Sequence, residues 1–89
     1  MLKPEYTSRF KKDYKAAIKR NLDIALIDSV MLDLIKEVPL AEKYRDHALT
    51  GNYIGCRECH IKPDWLLIYQ IGNGIIVFER TGTHSDLFG

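Results

Sequence analysis

The segment from residue 65 to residue 80 constrains the fold of this 89-residue chain more than any other part of its sequence. It opens with five consecutive apolar residues, Trp65 to Tyr69, and a second apolar stretch begins at Ile75. Between them stands Asn73-Gly74, a pair that tolerates the positive φ angles of a tight β-turn. The segment therefore predicts a β-hairpin of strands 65–71 and 75–80, with the first strand buried on both faces of a sheet.

Two further strands are expected. Residues 53–60 have strand character, and the link to the hairpin contains Pro63-Asp64, a pair that favours a turn. Three consecutive antiparallel strands would then form a meander. A short strand over residues 2–6 precedes them, and Pro4 restricts this strand to an edge or an end because proline has no N–H to donate.

Helical periodicity separates the first strand from the meander. Thr7 or Ser8 suits an N-cap for a helix to about Arg20, and Asp23 suits the N-cap of a second helix that ends near Pro39. So short a connection predicts a helical hairpin. The expected fold is a single α+β domain over residues 1–89 of order βααβββ, with the hairpin on one face of a small, mainly antiparallel sheet.

Composition narrows the class of protein. Apolar residues make up 46% and charged residues 28%, as in an ordinary globular domain. No apolar run approaches the roughly 18 residues that span a bilayer, and the first residues lack the apolar stretch of a signal peptide. We therefore expect a cytoplasmic protein with no membrane partner.

Positive charge is concentrated in the first predicted helix. Residues 9–20 hold six basic residues and a single carboxylate, Asp13. Lys11, Lys15 and Lys19 stand at positions i, i+4 and i+8, so they form a row on one face of the helix. Lys12 lies beside this row. Like charges at this spacing cost helix stability, which favours an anionic partner such as RNA over a merely solvated face.

The three histidines all fall where regular elements begin or end. His60 closes a predicted strand, His84 follows the last one, and His47 precedes the sheet. If the meander pairs as expected, Asp64 lies at the same hairpin end as His60, and the end of the last strand, with Arg80, lies near it. The pattern indicates a proton-transfer site, although histidines at strand ends are also common on ordinary surfaces.

Cys56 and Cys59 have the spacing of a zinc ligand pair, with His60 or His84 as further ligands. Two observations oppose a zinc site. No second pair stands at ligand spacing, and residues three apart on a strand point to opposite faces. The cysteines are better interpreted as small apolar residues that remain reduced.

The second half of the chain resembles a known family. The runs DHALTGNYIGCRECHIKPDWLLIYQI and FERTGTHSDLFG are similar to those of the YafQ-type toxins of the RelE/ParE superfamily, the toxic halves of bacterial type II toxin-antitoxin pairs. The resemblance is strong over residues 46–89, whereas over residues 1–45 only length and element order agree. It implies a RelE-like fold and a ribosome-dependent endoribonuclease that cuts mRNA in the ribosomal A site without a metal or cofactor. It also implies a DinJ- or RelB-like antitoxin, through which alone the toxin reaches operator DNA.

Carried over by position, the resemblance implies an active-site set of His47, His60, Asp64, Arg80, His84 and Phe88, with Trp65 beside it. Metal-free cleavage uses the substrate 2′-hydroxyl as nucleophile, so it needs a base, an acid and positive charge. We assign the acid to His84, the base to His60 or Asp64, and the phosphate clamp to Arg80. We expect His47 to bind phosphate or to share in proton transfer. We expect Phe88 to stack on a base and the lysine row to contact ribosomal RNA.

Two other functions stay open at this point. A ParE-like toxin would share the fold and inhibit DNA gyrase by binding, without cutting RNA. A silent toxin would serve only as the co-repressor of its antitoxin. The histidine set with Asp64 and Arg80 argues for the nuclease, because a binding protein has no need of three imidazoles at one sheet edge.

Overall fold

The computed structural model describes residues 1–89 and folds them into one five-stranded sheet with three helices. Strands β1 to β5 cover Lys3–Tyr6, His47–Ala48, Arg57–Lys62, Trp65–Gly72 and Ile75–Gly82. Helices α1, α2 and α3 cover Ser8–Lys19, Ile24–Ile35 and His84–Phe88, and 3₁₀ turns cover Glu42–Tyr44 and Gly51–Tyr53. None of these helices has the length and apolar character needed to cross a membrane.

The sheet order is β1-β5-β4-β3-β2. β1 runs parallel to β5, and the other neighbours are antiparallel, so the mainly antiparallel sheet is confirmed. Asn73 and Gly74 turn the β4–β5 hairpin with φ angles of 53° and 76°. Central strand β4 is buried on both faces from Trp65 to Tyr69, as its apolar run predicts.

The two long helices begin at the predicted caps. The Thr7 hydroxyl accepts a hydrogen bond from the Phe10 N–H at 2.9 Å, and the Asp23 carboxylate accepts one from the Leu26 N–H at 3.3 Å. α2 ends at Ile35, earlier than predicted, because Glu37 adopts a left-handed φ of 62° that no α-helix continues. Both helices pack on one face of the sheet, where the main apolar cluster lies.

The opposite face has its own smaller apolar cluster, which the sequence did not predict. Leu87 of α3 packs there against Cys56, Leu66 and Ile68. α3 is a single short helix with a capping box, in which the side chains of Thr83 and Asp86 each accept a hydrogen bond from the other's backbone N–H. This helix fastens the chain end to the sheet.

The strand predicted over residues 53–60 is wrong in its first part. Gly51–Tyr53 forms a 3₁₀ turn, Gly55 takes a φ of 89°, and the strand begins only at Arg57. The polar stretch before it contains the two-residue strand β2, which adds a fifth strand to the sheet. β2 places His47 opposite Glu58 in the pairing register.

Candidate active site

Three imidazoles lie side by side where β2, β3 and α3 meet. The ring centroids of His60 and His84 are 5.7 Å apart, and those of His47 and His60 are 6.1 Å apart. His60 lies near the end of β3, and His84 is the first residue of α3. The structure therefore brings together the three histidines that the sequence separates by up to 37 residues, from position 47 to position 84.

A buried carboxylate stands among these rings. Glu58 is only 5% exposed, and its two oxygens face two imidazoles. Oε1 lies 3.2 Å from His60 Nε2, and Oε2 lies 3.9 Å from His47 Nε2. Glu58 is not among the residues predicted for the site, although strand alternation puts it two residues before His60 on the same face of β3.

Asp64 holds His84 through two hydrogen bonds. Its Oδ1 accepts one from the His84 backbone N–H at 2.9 Å and one from the ring Nδ1–H at 2.6 Å. These bonds favour the ionised carboxylate and lower the pKa of Asp64 below its ordinary value. Since a carboxylate only accepts, Nδ1 of His84 carries a hydrogen, and Nε2 is left to face solvent or a ligand.

The tautomer of His47 is set in the same way. Its Nδ1 lies 2.6 Å from the backbone carbonyl oxygen of Arg45, which can only accept, so Nδ1 carries the hydrogen. Arg45 takes a left-handed φ of 49°, and this turn aims its carbonyl at the ring. Nε2 of His47 is thereby directed at Glu58.

Arg80 does not contact the imidazoles. Its Nε and Nη2 donate to the two carboxylate oxygens of Asp13 at 2.7 and 3.2 Å, and the Thr81 N–H donates to the same carboxylate. Hydrogen bonding to Asp13 raises the pKa of Arg80 above its ordinary value. This ion pair joins α1 to β5, and it is mostly buried, with side-chain exposures of 12% and 18%.

Phe88 and Trp65 have opposite environments. Phe88 is half exposed and packs edge-on against Tyr53, with ring centroids 5.7 Å apart. Trp65 directly follows Asp64, but its indole is 4% exposed and belongs to the main core, where Nε1 donates to the Thr81 hydroxyl at 3.0 Å. The resemblance implies substrate binding for Trp65, and this prediction finds no support in the position of the ring, which is enclosed by the core.

The four lysines of α1 are all exposed. No carboxylate lies within 4.0 Å of any of their amino groups, so the row predicted from Lys11, Lys12, Lys15 and Lys19 is an unneutralised positive surface. It lies on the outer side of a helix whose apolar side holds Phe10 and Ala17 in the core.

One group of side chains has the arrangement of a metal-ligand set. Ligand atoms of Glu58, His60 and His84 all lie within 4.8 Å of one another. The cysteines are not part of it, since Cys56 packs in the smaller cluster and Cys59 in the main core. Burial raises the pKa of Cys59 to about 12, which keeps its thiol protonated and unsuited to metal binding.

Fold and site together define a class: a small α+β domain with a histidine–carboxylate site at one end of its sheet. The family model described as the bacterial toxin of type II toxin-antitoxin system, YafQ, matches residues 2–89. The chain belongs to this family of YafQ toxins, which confirms the resemblance drawn from its second half and extends it over the helices.

Individual relatives agree over nearly the whole chain. The chain is 44% identical over 86 residues to the mRNA interferase toxin YafQ of Escherichia coli K12, covering 96% of this chain and 94% of that protein. A chain in the crystal structure of the E. coli DinJ-YafQ complex superposes with a TM-score of 0.93 at 42% identity, with all of both chains covered. A metal-bound toxin from Helicobacter pylori superposes with a TM-score of 0.92 at 44% identity, covering 99% of this chain and 100% of that one.

Proposed function

We propose that residues 1–89 act as a single toxin domain, an mRNA interferase that cleaves mRNA on the ribosome as one half of a type II toxin-antitoxin pair. The observation that carries the proposal is the packing of three imidazoles around Glu58, with His84 oriented by Asp64. The name of the E. coli relative, an mRNA interferase, supports this function over gyrase inhibition.

The chemistry requires proton transfer at two oxygens. The ribose 2′-oxygen bonds to phosphorus while the bond from phosphorus to the 5′-oxygen breaks, which gives a cyclic phosphate and a 5′-hydroxyl. A base takes the 2′-hydroxyl proton, and an acid supplies a proton to the 5′-oxygen. A positioned acid or base accelerates such a step by about 10² to 10⁴.

His84 suits the acid. Asp64 fixes the hydrogen on Nδ1 and its negative charge stabilises the imidazolium form, so the proton on Nε2 can be delivered to the leaving oxygen. Asp64 is thereby committed to His84, which leaves the role of base to His60. The Glu58 carboxylate favours a proton on the facing Nε2 of His60, so the lone pair on Nδ1 can accept the 2′-hydroxyl proton.

We assign supporting roles to the other residues of the predicted set. Arg80 uses Nε and Nη2 to bind Asp13, and its Nη1 remains to stabilise negative charge on the phosphorane. His47, held between Arg45 and Glu58, is placed to bind phosphate or to share in proton transfer. Phe88 is half exposed, and an unpaired base can stack on the accessible part of its ring.

A metal ion would compete with this chemistry. Glu58, His60 and His84 are the residues that would hold a divalent cation, and the H. pylori relative is a metal-bound toxin. An ion at these ligands would occupy a ring nitrogen of His60 and one of His84, the two residues to which we assign proton transfer. The metal-free form is therefore the active one in this proposal.

We infer the partners of this toxin from the family to which it belongs. The E. coli relative was solved in complex with DinJ, and we propose that a DinJ- or RelB-like antitoxin silences this toxin and mediates its contact with operator DNA. The exposed lysine row of α1 is proposed to contact ribosomal RNA. Because translating ribosomes lie in the cytoplasm, we propose that the protein acts there.

The test is cleavage of mRNA on translating ribosomes by His84→Ala, with Ser85→Ala as the matched control on the same helix. We expect His84→Ala to slow cleavage by about 10² or more and Ser85→Ala to leave it unchanged. Undiminished cutting by His84→Ala would remove that residue from the mechanism. Intact message with blocked DNA replication after induction of the wild type would instead indicate gyrase inhibition.

A further inference from the structure

A cleft of about 800 Å³ opens beside the His60–His84 pair. It lies between the 3₁₀ turn Glu42–Tyr44, the β3–β4 turn and the beginning of α3. His60 and His84 form part of its wall, and its basic side chains are Lys43, Arg45 and Lys62. We call this feature the basic cleft.

The cations of the basic cleft have no acidic partners. All three are exposed, and no carboxylate lies within 4.0 Å of their charged nitrogens. Arg20, Arg57 and Arg80, in contrast, each pair with an aspartate. Unneutralised charge of one sign in a concave surface focuses the electrostatic potential and attracts an anionic ligand.

The remaining wall of the basic cleft is apolar or aromatic. Leu26, Ile61 and Pro63 line it together with Tyr44. The Lys43 amino group lies 5.2 Å from the centroid of the Tyr44 ring, within the range of a cation–π contact. Cations beside apolar surface match the alternation of phosphate with sugar and base along single-stranded RNA.

Arg45 belongs to both sites. Its backbone carbonyl orients His47, and its side chain lines the cleft. The backbone of Arg45 is left-handed, which is uncommon for a residue other than glycine. This conformation directs the carbonyl towards His47 while Arg45 also lines the cleft. This arrangement couples the cleft to the imidazole cluster.

We propose that the basic cleft is an RNA subsite, in which Lys43, Arg45 and Lys62 bind the backbone phosphates of nucleotides adjacent to the scissile bond. The inference rests on the proposed function, since it requires a phosphate between His60 and His84 whose chain continues into the cleft. Recognition there is independent of sequence, because phosphates carry no sequence information. The subsite binds mRNA, whereas the α1 lysines form a separate surface that is proposed to contact ribosomal RNA.

The test measures binding of the full chain to a short RNA oligonucleotide whose 2′-O-methyl groups prevent cleavage. Amide shifts in ¹⁵N NMR follow binding at several salt concentrations, so weak complexes are detected. The variant is Lys43→Gln with Lys62→Gln, which spares the Arg45 backbone. The matched control, Lys3→Gln with Lys36→Gln, removes the same charge from exposed positions outside the cleft.

The cleft variant should bind several-fold more weakly at low salt. The slope of log Kd against log salt concentration should fall by about 1.4, since each phosphate contact to a single strand contributes about 0.7. The control should keep the wild-type slope. On ribosomes, the cleft variant should need a higher concentration for half-maximal cleavage than the control variant does.

Three outcomes overturn the proposal. The first is a slope equal to that of the control, and the second is the absence of RNA-induced shifts at the cleft of the wild type. The third is loss of antitoxin affinity with unchanged RNA binding, which would identify an acidic peptide as the ligand. Binding through the cleft by a wild type that cuts no mRNA on ribosomes would instead contradict the proposed function and leave the cleft as an RNA-binding surface only.

Discussion

Asp64 binds His84 at two points with one oxygen, the backbone N–H at 2.9 Å and the ring Nδ1 at 2.6 Å. The backbone bond fixes where α3 begins, and the side-chain bond fixes the ring tautomer. The β3–β4 turn therefore positions the first residue of the last helix. The Asp64 carboxylate therefore contributes both to the position of α3 and to the protonation pattern of the His84 ring.

Asp64→Asn should reduce cleavage while the protein stays folded. An asparagine oxygen can still accept both hydrogen bonds, but it supplies no negative charge for the imidazolium form of His84. We expect the cleavage rate at neutral pH to fall by about 10², the lower end of the contribution of a general acid. The measurement is the rate of cleavage on translating ribosomes at neutral pH, with urea unfolding to verify the fold. Asp33→Asn is the control, and a wild-type cleavage rate for folded Asp64→Asn would contradict the role.

The Arg20–Asp86 ion pair should make stability depend on acid pH. Arg20 Nη1 lies 2.8 Å from Asp86 Oδ2, and this bond with those at Thr83 lowers the pKa of Asp86 from 3.8 to about 2. Since the folded-state pKa is depressed, the stabilisation is present above pH 4 and is lost as pH falls through 2. Asp86→Asn should lower Tm by a few degrees at pH 7, and this difference should vanish near pH 2. Ser85→Ala should show a constant offset, and a constant offset for Asp86→Asn would refute the linkage.

Asp13→Ala should destabilise the fold and misplace Arg80. The change removes both hydrogen bonds to the guanidinium and the acceptor of the Thr81 N–H, and it leaves a mostly buried charge unpaired. We expect a loss of about 2–3 kcal/mol in the free energy of unfolding by urea. Adding Arg80→Met should recover part of this loss, since no unpaired charge then remains. Equal stabilities of Asp13→Ala and the double variant would show that the unpaired charge of Arg80 is not what destabilises Asp13→Ala.

Trp65 and Phe88 should behave in opposite ways. Trp65→Phe removes the donor to the Thr81 hydroxyl and part of a core ring, so it should cost about 1–3 kcal/mol of stability and leave cleavage per folded molecule unchanged. Phe88→Ala removes a half-exposed ring, so it should change Tm little and reduce cleavage. Urea unfolding and ribosomal cleavage of both variants decide the assignment. Reduced cleavage by fully folded Trp65→Phe would restore the indole to the site.

Much of the fold could be predicted because its signals are local. Asn73-Gly74 specifies a hairpin turn through its own φ angles, and Thr7 and Asp23 begin helices through bonds to N–H groups three residues away. The prediction failed over residues 53–56, where left-handed Gly55 interrupts an otherwise strand-like sequence. It also missed β2, because two residues carry too little periodicity to detect.

The histidines, Asp64 and Arg80 could be chosen from the sequence by their residue types at element ends, together with the family resemblance. The contacts that these residues make in the structure could not be predicted. The contact of Arg80 with Asp13 spans 67 positions, and that of His84 with Asp64 spans 20. The apolar run placed Trp65 in a buried strand, yet it could not say which face of the sheet the helices cover.

The sequence by itself determined the first strand, the helical hairpin, the three meander strands in their order and the family, because each depends on short segments and their spacing. The tertiary structure alone decided that Glu58 lies among the imidazoles, that Trp65 belongs to the core, and that Arg80 is bound by α1. The physical reason is that a side chain's role depends on what packs against it. Packing between distant segments is settled only when the sheet has formed and its two faces are covered.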